Sequence, residues 1–84
     1  MEAIKSLITQ MVCGIVDDTN SVLVSHSETE KGQLFEIEVA KDDVGKVIGK
    51  QGRIASALRT VAKASGAKHG VRVMVNVLNK PRES

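Results

Sequence analysis

Two glycines three residues apart constrain this chain more than any other feature. They sit in the run Val44-Gly45-Lys46-Val47-Ile48-Gly49-Lys50-Gln51-Gly52-Arg53-Ile54, between two apolar-periodic segments. Without a Cβ at Gly49 and Gly52, the backbone can reverse sharply and lie close against a ligand. The segment from Arg53 onward reads as a helix, so the turn delivers unpaired N–H groups at a helix N-terminus, a favourable place for phosphate. Lys46, Lys50 and Arg53 surround it with positive charge. This pattern points to a loop that grips a nucleic-acid backbone.

The spacing alone is weak, since the chain has seven glycines in 84 residues. Context strengthens it, and two other phosphate motifs fail on the same residues. A Walker-type loop needs four residues between its first glycine and Gly-Lys, then Ser or Thr. Here Gly45 and Gly49 enclose only three, and Gln51 follows Lys50. A dinucleotide fingerprint needs Gly-x-Gly-x-x-Gly after a strand, which Gly45, Gly49 and Gly52 do not provide. Nucleotide hydrolysis and dinucleotide redox chemistry lose their support.

The net charge of +2 hides an asymmetry. From Lys41 to Arg72 there are eight Lys/Arg against Asp42 and Asp43, a net +6, while the remainder holds four against eight, a net −4. Positive charge is thus concentrated in the half that carries the turn, as for an electrostatic footprint on nucleic acid. The length suits one domain with a small two-layer core. No apolar run approaches a membrane span, and the first residues resemble no secretory signal. Cys13 is the single cysteine and can form no internal disulfide, which fits a reducing cytoplasm.

Apolar residues at Ile4, Leu7, Ile8, Met11, Val12 and Ile15 predict an amphipathic helix over Glu2 to Val16. Asp17-Asp18-Thr19-Asn20 ends it. Ser21 to Ser27 reads as a strand, Glu28 to Gly32 as a polar turn, and Gln33 to Ala40 as a second strand with Phe35, Ile37 and Val39 on one face. The two strands form a hairpin. Asp42 or Asp43 is placed to cap a short helix through Ile48. A further helix runs from Arg53 to about Ala64, stopped by Ser65-Gly66. Val71 to Leu78, with valines at 71, 73, 75 and 77, is a third strand. The domain is read as 1–79, with 80–84 a flexible C-terminal tail.

The order helix-strand-strand-helix-helix-strand predicts an α+β fold. The second and third strands run parallel through a right-handed two-helix crossover, and the hairpin adds an antiparallel edge. The three-stranded mixed sheet carries its helices on one face. Its open face holds Glu36, Glu38, Arg72 and Asn76. Carboxylates there repel phosphate, and no aromatics are available for stacking, so base recognition on the sheet is disfavoured.

A Gly-x-x-Gly turn between two helices, preceded by Ile48 and followed by a basic helix, resembles the KH domain in its type II arrangement. Asp42 to Ala55, with Ala57-Leu58-Arg59-Thr60-Val61 just after, is similar to the small bacterial single-KH proteins of the KhpA (YlqC) family. The likeness covers essentially the whole chain. It departs after Asp17, where the family carries His-Pro and this chain carries Asp18-Thr19. The resemblance implies single-stranded RNA binding with little sequence preference and no cofactor. Gly49, Lys50, Gln51 and Gly52 would form the clamp. Lys46, Arg53 and Arg59 would supply charge. Val44, Val47, Ile48 and Ile54 would floor the groove, Ile54 alternatively facing a dimer interface. It also implies a homodimer, or a heterodimer with a KhpB (Jag)-like KH protein, in a role such as RNA chaperone or post-transcriptional regulator.

His26 and His69 lie far apart and read as surface histidines. Cys13 reads as a partly buried, unactivated thiol. No catalytic constellation can be assembled, so the chain reads as a non-enzyme. Two rivals compete with RNA binding. One is a helix-turn-helix DNA binder, weakened by the short first helix and the lack of an Asn/Gln-rich reading face. The other is a protein-interaction adaptor with a vestigial groove.

Overall fold

The computed structural model describes residues 2–78, so the predicted tail lies outside the described residues. Helix α1 (Glu2–Cys13) is followed by strands β1 (Leu23–Thr29) and β2 (Gly32–Glu38). Helices α2 (Val44–Ile48) and α3 (Arg53–Lys68) come next, then strand β3 (Val73–Val77). The sheet order is β1-β2-β3, with β1 antiparallel and β3 parallel to β2. The chain has the predicted α+β architecture.

The alternation of β2 explains why this sheet takes helices on one side. Phe35 and Ile37 point inward and are fully buried, paired in register with Val75 and Val77 of β3; Val24 of β1 stands opposite Ile37. Ile4, Ile8 and Val12 of α1, Val47 of α2, and Leu58 and Ala62 of α3 close over them as one core. Each fully buried large aliphatic or aromatic side chain contributes about 1.5–3 kcal/mol of transfer free energy. The short α2 is therefore held by Val47 and its neighbours rather than by its own helix propensity, which is marginal at five residues.

Several boundaries differ from the sequence reading. The first helix ends at Cys13 rather than Val16, although Val16 remains buried against the core. The first strand lies two residues later than predicted. A single 3₁₀ turn takes Thr19–Ser21, with the Ser21 hydroxyl donating to Asp18 Oδ2 at 2.7 Å. At the far end Thr29 pairs with Gly32, leaving Glu30 and Lys31 as a two-residue hairpin turn. The third strand is shorter than predicted: it begins at Val73, and the Val71 N–H before it bonds the Gly66 carbonyl at 3.0 Å.

Ser65-Gly66 does not stop the third helix, which runs on to Lys68. Gly66 is fully enclosed. A Cβ there would run into the Val73 side chain and fall 2.9 Å from the Val71 carbonyl oxygen. The residue is a glycine because helix and strand approach closely, not because the helix ends.

Neither aspartate caps α2. Asp43 occupies the N-cap position without a side-chain capping bond. Its Oδ2 accepts the backbone N–H of Asp18 at 3.0 Å, and its Oδ1 accepts Lys46 Nζ at 3.3 Å. Only 2 % of Asp43 is exposed, so this buried carboxylate ties the loop after α1 to the helix before the glycine turn.

Candidate nucleic-acid interface

The turn between α2 and α3 spans Lys50–Gly52, is entered through Gly49 and is not helical at Gln51. Gly49 has φ 77° and Gly52 φ 74°, both in the region that only glycine adopts freely. Gln51 between them is the one non-glycine described residue with positive φ, at 56°. A left-handed glutamine is uncommon, and such strain gathers where a loop must keep one shape for a ligand. The Gly49 N–H bonds Gly45 and the Gly52 N–H bonds Gly49. Among the described residues, the N–H groups of Lys50 and Gln51 meet no internal acceptor, and no side chain caps α3. They are unpaired donors at the positive end of a 16-residue helix.

The three cations predicted around the turn divide into two kinds. Lys50 and Arg53 are exposed and make no ion pair among the described residues. Lys46 instead bonds both Asp17 and Asp43. The Asp17 hydrogen bond, then that of Asp43, holds the Lys46 ammonium above the usual lysine range. The Asp18 backbone N–H acts first in holding the Asp43 carboxyl below the usual aspartate range, with Lys46 assisting. Lys46 and its two carboxylates together carry a net charge of −1, so the positive charge at the turn itself is that of Lys50 and Arg53.

The apolar candidates also divide. Val47 is fully buried in the core and cannot touch a base. Val44 and Ile48 are half-buried and remain reachable beside the turn. Ile54 is half-buried and packs both on the core and against Gly49.

A feature that the sequence reading did not place is the outer edge of β3. Arg72 O accepts the Gln33 N–H at 2.8 Å and Ile37 O accepts the Leu78 N–H at 3.0 Å, so the even-numbered residues of this strand turn their peptide groups toward β2. By alternation Val73, Val75 and Val77 turn theirs outward, along an edge with no neighbouring strand among the described residues. Both α2 and α3 pack against β3. Arg59, from α3, donates Nε–H to the Val75 carbonyl at 3.1 Å. A cleft of about 460 Å³ opens beside this edge, lined by Lys63, Val71, Arg72, Val73 and Met74. Only the crossover topology reveals which strand edge is free, so no local sequence signal marks Arg59 for this position.

The histidines stand apart from the turn. His26 stacks on Phe35 with ring centroids 4.7 Å apart and bonds Gln33; His69 donates Nδ1–H to the Ser65 carbonyl at 3.0 Å. Among the described residues no group of three His, Cys, Asp or Glu could hold a metal, and no helix is long and apolar enough to cross a membrane.

Residues 5–77 match the family model described as KhpA/KhpB, KH domain. The chain is 45% identical over 74 residues to the RNA-binding protein KhpA of Clostridium acetobutylicum, covering 88% of this chain and 99% of the relative. It is 44% identical over 78 residues to the RNA-binding protein KhpA of Aquifex aeolicus, covering 93% and 99%. With the protein of the same name from Listeria monocytogenes the identity is 36% over 74 residues, covering 88% and 97%.

Proposed function

The chain belongs to the KhpA/KhpB KH-domain family, a family without catalytic activity, and from that footing we propose that it binds single-stranded RNA through the Gly49–Gly52 turn. The observation that carries this reading is the coincidence, among the described residues, of unpaired Lys50 and Gln51 N–H groups with the unpaired Lys50 and Arg53 cations at the head of α3. Phosphate oxygens are the ligand those groups fit. Gly49, Lys50, Gln51, Gly52 and Arg53 grip the backbone, while Ile48 and Ile54 supply apolar surface beside it. Lys46 acts as a brace: its bonds to Asp17 and Asp43 fix α2 and so the angle at which the turn is presented.

A groove with one Phe and no Tyr or Trp has little base stacking, which elsewhere contributes about 1–3 kcal/mol per base. One domain is therefore a weak binder, and pairing two grooves would raise effective concentration. The working unit is a dimer, either of two copies or with a KhpB (Jag)-like KH protein, acting in the cytoplasm as an RNA chaperone or post-transcriptional regulator.

The test is the double variant Lys50→Asp/Gln51→Asp, assayed by fluorescence anisotropy with a labelled single-stranded oligouridine. Aspartate tolerates the left-handed backbone at position 51 better than most residues do, so folding is preserved. Loss of binding with an unchanged circular dichroism spectrum is expected. Unchanged affinity would refute the clamp, and preference for duplex DNA would favour a different docking mode.

A further inference from the structure

We infer that the Asp17 carboxylate is an autoinhibitory stand-in for phosphate: it occupies Lys46 in the free protein and so withholds a third cation from RNA bound at the Gly49–Gly52 turn. This restraint presupposes the RNA-binding reading above and adds a control on its strength.

Lys46 stands one helical turn before Gly49. The Gly49 N–H bonds the Gly45 carbonyl at 2.8 Å, so the helical path of α2 continues as far as the turn. Residues three apart in a helix are neighbours, and the rise between them is only about 4.5 Å. A lysine at this point carries its ammonium on a flexible four-carbon stem. In a ligand gripped over about four nucleotides, the phosphate next to the one at the turn lies within its reach.

The two carboxylates that hold Lys46 differ in kind. Asp43 is buried and also serves the fold, since its Oδ2 takes the Asp18 N–H. The Asp17 side chain is 85% exposed and bonds no group but Lys46 among the described residues. Its chain neighbours are pinned, Val16 in the core and Asp18 by its N–H on Asp43, so this exposed carboxylate is nevertheless kept at the ammonium. An ammonium has three donors. Asp43 takes one from the protein side at 3.3 Å, and Asp17 takes one from the solvent side, where a ligand oxygen would arrive.

Asp17 and a phosphate therefore offer the same kind of anionic acceptor to the same ammonium. Asp17 is tethered and acts at a fixed, high effective concentration, whereas RNA gains the cation only by breaking that contact. One ammonium between two carboxylates also leaves a net charge of −1 close to Lys50 and Arg53, which opposes an incoming phosphate. Asparagine at position 17 keeps the shape and the acceptor oxygen and removes the charge. Lys46 and Asp43 then form a neutral pair, and the remaining donor prefers an anionic phosphate oxygen to a neutral amide oxygen. The brace on α2 is kept through Asp43.

The experiment measures anisotropy with one labelled oligouridine over several salt concentrations for the wild type, Asp17→Asn, Lys46→Met and the double variant, with circular dichroism melts to verify folding. Asp17→Asn is expected to bind roughly threefold or more tightly at low salt, the scale of one exposed ion pair. Its salt slope should steepen by about 0.7, from about −1.4 to about −2.1. In the Lys46→Met background, Asp17→Asn should change neither affinity nor slope. Unchanged or weaker binding by Asp17→Asn overturns the inference, as does a wild-type slope already near about −2.1. Tighter binding that persists without Lys46 overturns it too, since relief of charge repulsion then explains the gain. In each of these cases the wild type still binds and the clamp stands. Absence of RNA binding by the wild type and Asp17→Asn alike overturns both.

Discussion

Ile54 fills the space that a side chain at Gly49 would need. A Cβ on Gly49 would lie 2.7 Å from Ile54 Cγ1 and 3.0 Å from its Cβ and Cδ1. The first glycine of the turn is thus required twice, by its backbone angle and by the isoleucine packed beneath it. Gly52 is required only once, because no atom of the described residues stands within 4 Å of a Cβ there.

The two glycines should therefore differ on substitution. Gly52→Ala meets only the left-handed backbone, a loss of about 1–2 kcal/mol. Gly49→Ala adds overpacking against Ile54 and should lose on the order of 2–4 kcal/mol. Urea unfolding of the two variants checks the order, and Ile54→Ala in the Gly49→Ala background should restore part of the difference. Equal losses at the two positions would mean that the Ile54 contact plays no part.

The same contact bears on self-association. Ile54 is half-buried under the turn, whereas Val61 is 41% exposed on α3 with exposed Ala57 a turn before it. Of the apolar residues on that helix, Val61 is the better candidate for a dimer contact. Val61→Asp should convert a dimer into a folded monomer in sedimentation velocity without RNA, and at an exposed site it should change stability by no more than about 0.5 kcal/mol. A wild-type protein that stays monomeric at high concentration and pairs with no second KH protein would end the dimer proposal.

Asp43 and Lys46 set opposite limbs of the stability profile with pH. The Asp43 carboxyl is held low in the fold, first by the Asp18 N–H. Its contribution is present above the ordinary aspartate range and is lost as pH falls through the depressed folded value. The Lys46 ammonium is held high, first by Asp17. Its contribution is complete below the ordinary lysine range and is lost as pH rises through the raised value. Melting temperatures followed across pH should show Asp43→Asn blunting the acid limb and Lys46→Met blunting the alkaline limb. An acid limb unchanged in Asp43→Asn would mean that other carboxylates govern it.

Period and spacing carried most of the fold. The valines of β3 and the alternation of Phe35 and Ile37 are physical requirements of a one-sided sheet, and they were legible as such. The Gly49–Gly52 turn between two helices was equally plain. What was not legible depended on distant partners. Asp43 reads locally as a cap, but Asp18 and Lys46 lie where they outcompete the helix for its oxygens. Gly66 reads as a stop until Val73 is folded back onto it. Arg59 reads only as charge around the turn, because the free strand edge it reaches exists only after the crossover is made.

The division of the cations gives a numerical expectation for salt. Single-stranded binding loses about 0.7 in log affinity per tenfold rise in salt for each phosphate neutralised. With Lys46 held by Asp17 and Asp43, Lys50 and Arg53 are the two cations at the turn that no carboxylate among the described residues holds. One domain should then show a slope of about −1.4. Lys50→Ala should reduce the slope by about 0.7. Lys46→Met should leave the slope unchanged while shifting affinity through the pose of α2. Anisotropy titrations at several salt concentrations with one oligouridine measure all three. A wild-type slope near −2.1, dropping in Lys46→Met, would show that Lys46 leaves its carboxylates to take a third phosphate. In that case the brace is released on binding, and the Asp17 and Asp43 carboxylates hold Lys46 only in the free protein.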